Sequence, residues 1–194
     1  DKIRKNKKYL FHLLEKKTVE KISFFCAKAT DGLDILKSYY GVKDEKCNLL
    51  TQYVSFNRVD HNVQEIKKEF NISENSFVFG MVAHYRDQKH PELLLEAFSK
   101  VAFEKNVHLI FLGNKDNDHL TLAKYNGLVR MAKELGVENK VTILSGIPVE
   151  KVLSVIDVGV LVRAYEGVPT VLLEYMAYGK PIIATNHPGC IQLM

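Results

Sequence analysis

Apolar residues fall along this chain in two rhythms. Five short runs, at 77–83, 107–112, 141–144, 158–162 and 181–184, are rich in Val, Ile, Leu and Phe at nearly every position, the pattern of strands buried on both faces. Longer stretches lie between them and predict helices: 62–70, 92–104, one running to Leu135-Gly136, 149–156, and one between Pro169 and Gly179. Pro91 and Pro169 suit the first turn of a helix, and Gly136 and Gly179 the position just past its end. Strands alternating with helices predict an α/β fold: a doubly wound, Rossmann-like parallel sheet of order 3-2-1-4-5 with helices on both faces. The last residues, Cys190 to Met194, stand where another helix should start, so the fold is expected to be truncated at its C-terminus.

The chain before residue 60 is less regular. Residues 2–17 predict a helix, 21–26 a strand, 31–40 a helix closed by Gly41, and 48–56 a strand running into a linker. Two domains are expected, 1–57 and 58–194.

Topology alone places a site. In the order 3-2-1-4-5 the loops after strands 1 and 4 diverge, and ligands bind in the crevice at the carboxyl ends. Strand 1 is followed by His84 to His90, and strand 4 by Arg163 to Glu174. Arg86 and Lys89 should therefore face the start of the helix at Thr170. Cations from one loop and the free N–H groups around Thr170 and Val171 from the other make a diphosphate site without a metal. Glu166 and Glu174 are poor phosphate ligands but good acceptors for the hydroxyls of a sugar beside that phosphate.

The two glutamates are separated by seven residues within Glu166-Gly167-Val168-Pro169-Thr170-Val171-Leu172-Leu173-Glu174, followed by Tyr175-Met176-Ala177-Tyr178-Gly179-Lys180-Pro181. This resembles the E-x7-E signature of retaining GT-B glycosyltransferases, closest to their family 4, whose pattern is EGxPxxLLEAMAxGxPVVAT. The resemblance implies the C-terminal, nucleotide-sugar-binding domain of such an enzyme over 58–194, and over 1–57 the end of the acceptor-side domain with its linker. It implies a metal-independent transfer from a nucleoside-diphosphate sugar, UDP-sugar ahead of GDP-sugar, to a glycan, lipid or other acceptor in polysaccharide or glycoconjugate synthesis, with no cofactor. Lys89, Arg86 and Glu166 would be catalytic. Glu174, Thr170, Val171, Gly167, Val168, His84, Gly113, Asn114 and Ile147 would bind the nucleotide sugar.

The chain also departs from the family. After strand 1 the family shows Gly-Arg-x-x-x-x-Lys-Gly. Lys89 matches the Lys, but His84 stands at the Arg and His90 at the second Gly. His84 either touches phosphate or packs, and Arg86 is the alternative cation. Asn186-His187-Pro188-Gly189-Cys190-Ile191-Gln192 replaces the x-x-Gly-Gly-x-x-Glu segment. The alternatives to a transferase are a nucleotide-sugar binding module without transfer, or a GT-B epimerase. A dehydrogenase is disfavoured, because no Gly-x-Gly-x-x-Gly follows strand 1. Asp116-Asn117-Asp118 could imitate a metal-binding Asp-x-Asp, but Asp118 is more simply a helix N-cap.

Composition adds a little. With 194 residues, 46% of them apolar, the chain can bury a core, and no run of about twenty apolar residues exists to span a membrane. Cys26, Cys47 and Cys190 are odd in number and far apart, which points to reduced thiols and a cytoplasmic protein. The net charge is +4, but Lys2, Arg4, Lys5, Lys7, Lys8, Lys16, Lys17 and Lys21 crowd the start. They are either a solvated helix face or a peripheral contact with anionic membrane. No nucleic-acid motif accompanies them.

Overall fold

The computed structural model describes residues 2–50, 52–55, 59, 61–114, 119–163 and 167–194, with side chains from residue 11 onward. The chain divides into two units, with the boundary between Gln52 and Tyr53.

In the first unit, α1 (Lys2–Lys21) is followed by β1 (Phe25–Ala27), α2 (Thr30–Ser38) and β2 (Cys47–Leu49). The first helix runs four residues past its expected end, because Lys16 to Lys21 contain no breaker and mostly helix-favouring side chains. The two strands are shorter than expected. They pair in parallel only from Phe25 opposite Cys47 to Ala27 opposite Leu49. Tyr39 joins α2 to α1 through a 2.9 Å hydrogen bond between its hydroxyl and Nδ1 of His12. Among the described residues no helix is long and apolar enough to cross a membrane.

The second unit begins with α3 (Val63–Glu69), whose N-cap Asn62 accepts from the N–H groups of Gln64 and Glu65. Then come β3 (Phe77–Val82), α4 (Pro91–Ala102), β4 (Val107–Leu112), α5 (His119–Glu134), β5 (Val141–Leu144), α6 (Val149–Val155), β6 (Val158–Leu161), α7 (Thr170–Ala177), β7 (Ile182–Ala184) and α8 (Pro188–Ile191). All five strands are parallel, in the order β5-β4-β3-β6-β7. That is the order 3-2-1-4-5 within this unit, as expected. The final helix starts at Pro188, earlier than the pattern suggested, with His187 Nδ1 accepting from the Gly189 N–H at its cap.

The sheet has a core on each side. On one, Leu109 and Phe111 of β4 meet Leu95, Phe98 and Ala102 of α4 and Leu128 and Ala132 of α5. On the other, Ile110 and Leu112 meet Ile66 of α3, Val152 and Leu153 of α6, and Leu172 and Tyr175 of α7. Every residue of β4 is buried, which is why its sequence is apolar at all positions but one. Its one polar member, His108, bonds through Nε2 to the Thr142 hydroxyl at 2.8 Å, and burial lowers its pKa to about 4.

The junction of β3 and β6 is short. Phe79 pairs with Val158 and Gly80 with Gly159, and there the ladder ends. By contrast β3 pairs with β4 from Phe77 to Val82. Beyond Gly80 and Gly159 the two strands fork, and the fork opens at the carboxyl edge of the sheet.

Candidate active site

A cleft of about 380 Å³ occupies that fork. Val82, Ala83, Leu112 and Leu161 form its apolar floor at the ends of β3, β4 and β6. His84 and Lys89 enter from the loop after β3, Gly113 and Asn114 from the end of β4, and Ile147 and Val149 from the turn before α6. Pro169, Thr170, Val171 and Glu174 close it from the first turns of α7.

Each wall has a local reason for its shape. The loop after β3 is pinned by Tyr85, which is buried and donates to the Leu144 carbonyl at 2.7 Å. Gly113 lies against this loop so tightly that a Cβ would sit 2.4 Å from the Ala83 carbonyl oxygen and 2.9 Å from the Tyr85 ring. Only glycine permits that approach. Asp87 to Lys89 then form one 3-10 turn. Lys124 of α5 bridges Asp87 of this turn and Glu92 of α4, tying the turn down. His90 follows in the left-handed region, at φ +41° and ψ +48°. A side chain is strained there, which gives a physical reason for the glycine in the family pattern at this position.

On the opposite wall Pro169 is the N-cap of α7, and no side chain caps the helix. The first-turn amides, Thr170 and Val171 among them, have no partner within the helix by its geometry, and together with the helix dipole they favour an anion. Glu174 lies one turn further on. Its carboxyl is held above the usual range by burial, assisted by the negative charge of Glu150.

The structure therefore brings Lys89, His84, Gly113, Asn114, Ile147, Thr170, Val171 and Glu174 to one cleft. Three of the expected residues stand elsewhere. Arg86 lines a neighbouring cavity of about 660 Å³ with Tyr85, Gln88, Glu92 and Lys124, because the 3-10 turn directs it away from Lys89. Gly167 and Val168 are not among the residues that line the cleft. Val168 is buried, and the Gly167 carbonyl packs against Gly189. Glu166, Asp116, Asn117 and Asp118 lie outside the described residues.

Sequence reasoning missed Tyr175. It is fully buried, and its hydroxyl reaches into the fork to take the Val82 N–H at 3.0 Å. Two signals pointed to it. A tyrosine stands where the family pattern has alanine, and a glycine, Gly159, interrupts the β-branched run of the facing strand.

Three comparisons bear on these features. Residues 62–194 match the family described as glycosyl transferases group 1. The chain is 27% identical over 143 residues to N-acetyl-alpha-D-glucosaminyl L-malate synthase of Bacillus anthracis, covering 73% of this chain and 35% of that enzyme. It is 30% identical over 128 residues to UDP-Gal:alpha-D-GlcNAc-diphosphoundecaprenol alpha-1,3-galactosyltransferase of Escherichia coli, covering 63% and 31%. It thus spans about a third of the length of these curated relatives. Among solved structures, Anabaena HepE in complex with UDP and glucose superposes with a TM-score of 0.77 at 19% identity, over 89% of this chain and 47% of that one.

Proposed function

The chain belongs to the glycosyl transferases group 1, and on that footing we propose that its cleft binds the nucleoside diphosphate of a sugar donor. The whole enzyme then transfers the sugar, with retained anomeric configuration and without a metal, to a glycan, lipid or other acceptor. The observation that carries this reading is the convergence of Lys89, the start of α7 and Glu174 on one cleft at the β3–β6 fork. UDP is the preferred carrier, supported by the E. coli relative's UDP-galactose name and by UDP in the HepE complex.

In this mechanism the diphosphate lies between Lys89 and the amides of Thr170 and Val171. As the sugar–phosphate bond breaks, negative charge grows on the phosphate oxygens, and these fixed donors stabilise it more than they stabilise the ground state. His84 adds a further donor, in the place Arg86 leaves empty by facing the neighbouring cavity. Glu174 accepts from the ribose hydroxyls, and Gly113, Asn114 and Ile147 border the nucleoside. Glu166 holds hydroxyls of the donor sugar. The acceptor attacks on the face that the diphosphate leaves, so no protein base is needed.

The same proposal places the enzyme in the cytoplasm, with the basic residues of α1 resting on anionic lipid. Co-sedimentation with phosphatidylglycerol vesicles, compared with neutral ones, tests that part.

Titration of the protein with UDP and with UDP-glucose, followed by thermal unfolding, tests the binding. A ligand at 100 times its Kd should add about 2.7 kcal/mol of stability, and EDTA should leave this gain unchanged. Binding that needs added manganese would overturn the metal-free reading. Sugar transfer by the intact enzyme, as opposed to binding alone or epimerisation of the donor, separates a transferase from the other two activities.

A further inference from the structure

The even-numbered backbone groups of β3 face β6. Val78 accepts from the Asp157 N–H, and the Val82 N–H points the same way. The ladder stops at Gly80 opposite Gly159, so Val82 has no strand partner on that side. Tyr175 supplies one. Its hydroxyl accepts from the Val82 N–H at 3.0 Å, and its own proton faces the carbonyls of Gly80 and Val160 at 3.3 and 3.4 Å. The ring lies over Gly159, where a Cβ would come within 2.4 Å of it. The side chain is fully buried.

We propose that Tyr175 is a positioning residue for the nucleotide. It wedges the β3–β6 fork open at a fixed width, and it anchors α7 so that Thr170 and Glu174 face the cleft. Three facts support this. Val82, whose N–H it receives, is a floor residue of the cleft. Glu174 is its neighbour in α7 and lines the same cleft. The hydroxyl accepts from the Val82 N–H and turns its single proton toward one carbonyl on each strand, so its loss leaves the Val82 N–H unpaired beneath the ligand. Tyr175 touches no ligand itself.

This inference rests on the nucleotide reading of the cleft, and the experiment separates the two. The variant is Tyr175→Phe in the full chain. The control is Lys67→Met, which removes a buried ammonium from the Glu74 and Ser76 carbonyls, before the start of β3 and away from the cleft. UDP and GDP are titrated calorimetrically well below both melting temperatures, and backbone amide exchange is followed without ligand. Tyr175→Phe should weaken whichever diphosphate binds by about tenfold, while Lys67→Met leaves affinity within twofold of the parent. Equal affinity in Tyr175→Phe and the parent, or equal weakening in both variants, overturns the positioning role. If the parent binds neither diphosphate, the nucleotide reading falls and exchange decides. Faster exchange in Tyr175→Phe, confined to residues 80–84 and 170–175, keeps the wedge; exchange matching Lys67→Met removes it.

Discussion

The two ends of the seam between β3 and β6 face the same chemical problem and solve it differently. At the amino end the Val78 N–H donates to the Asp157 carboxylate at 2.7 Å, and the Asp157 N–H returns a bond of 2.7 Å to the Val78 carbonyl. At the carboxyl end the Val82 N–H donates to the Tyr175 hydroxyl. Asp157 immediately precedes β6 and its short side chain lets the strands close up. Tyr175 comes from α7, and its long side chain reaches groups of both strands and holds them apart. One end is built to zip and the other to stay open, and the proposed nucleotide site lies at the open one. The proposed binding site is a local failure of strand pairing.

Four substitutions break or sharpen this contrast. The largest effect should come from Lys89→Ala at the open end. In the intact enzyme it should lower kcat more than it raises KM, with a loss of about 2.7–4 kcal/mol if Lys89 acts as an oxyanion donor does. Steady-state kinetics with and without the substitution checks this, and His84→Ala serves as the test of register. A silent Lys89→Ala beside a crippling His84→Ala would redraw the cation set.

Gly159→Ala should come next, acting on stability. Its new Cβ meets buried ring atoms of Tyr175 at 2.4 to 2.7 Å, and overpacking of this kind costs about 3 kcal/mol. Urea denaturation reads the loss. Adding Tyr175→Leu should recover part of it, because the clash and the wedge are the same object.

Asp157→Ala cuts the closed end. Leaving the Val78 N–H without its acceptor should cost about 1–2 kcal/mol of stability, with UDP affinity unchanged in calorimetry. A fall in affinity to match would mean the two ends are coupled, and the contrast would dissolve.

The smallest change should follow His90→Gly. Relief of the left-handed strain at φ +41° is offset by the greater freedom of glycine in the unfolded chain, leaving a gain of between zero and about 1 kcal/mol. Thermal unfolding measures it.

Much of this was legible in the sequence because the signals were local. The five strands of the second unit announce themselves as apolar runs, and Pro91, Gly136 and Gly179 mark helix ends where the structure has them. Lys89 and Thr170 followed from strand order, and Glu174 from its spacing to Glu166 in a segment that resembles the family signature. The orientation of Arg86 did not. It depends on Tyr85 reaching Leu144 and on Lys124 holding Asp87 and Glu92, contacts between residues far apart in the chain. The role of Tyr175 was hidden for the same reason, since its partners are 15 to 95 residues away. The short strands β1 and β2 were overestimated because pairing, which periodicity does not report, sets their length.

The short seam also bears on the order of assembly. Its residues are distant in sequence: Val78 meets Asp157 across 79 positions, whereas β3 and β4 meet across the single helix α4 between them. Closing the longer loop carries a larger entropic cost, and only two residue pairs on β3 repay it. We expect β3, β4 and β5 to gather first and the β6–β7 half to dock onto them late. A ligand lying across the cleft would then grip two parts that join after the rate-limiting step, so it should slow unfolding and leave the folding rate almost untouched.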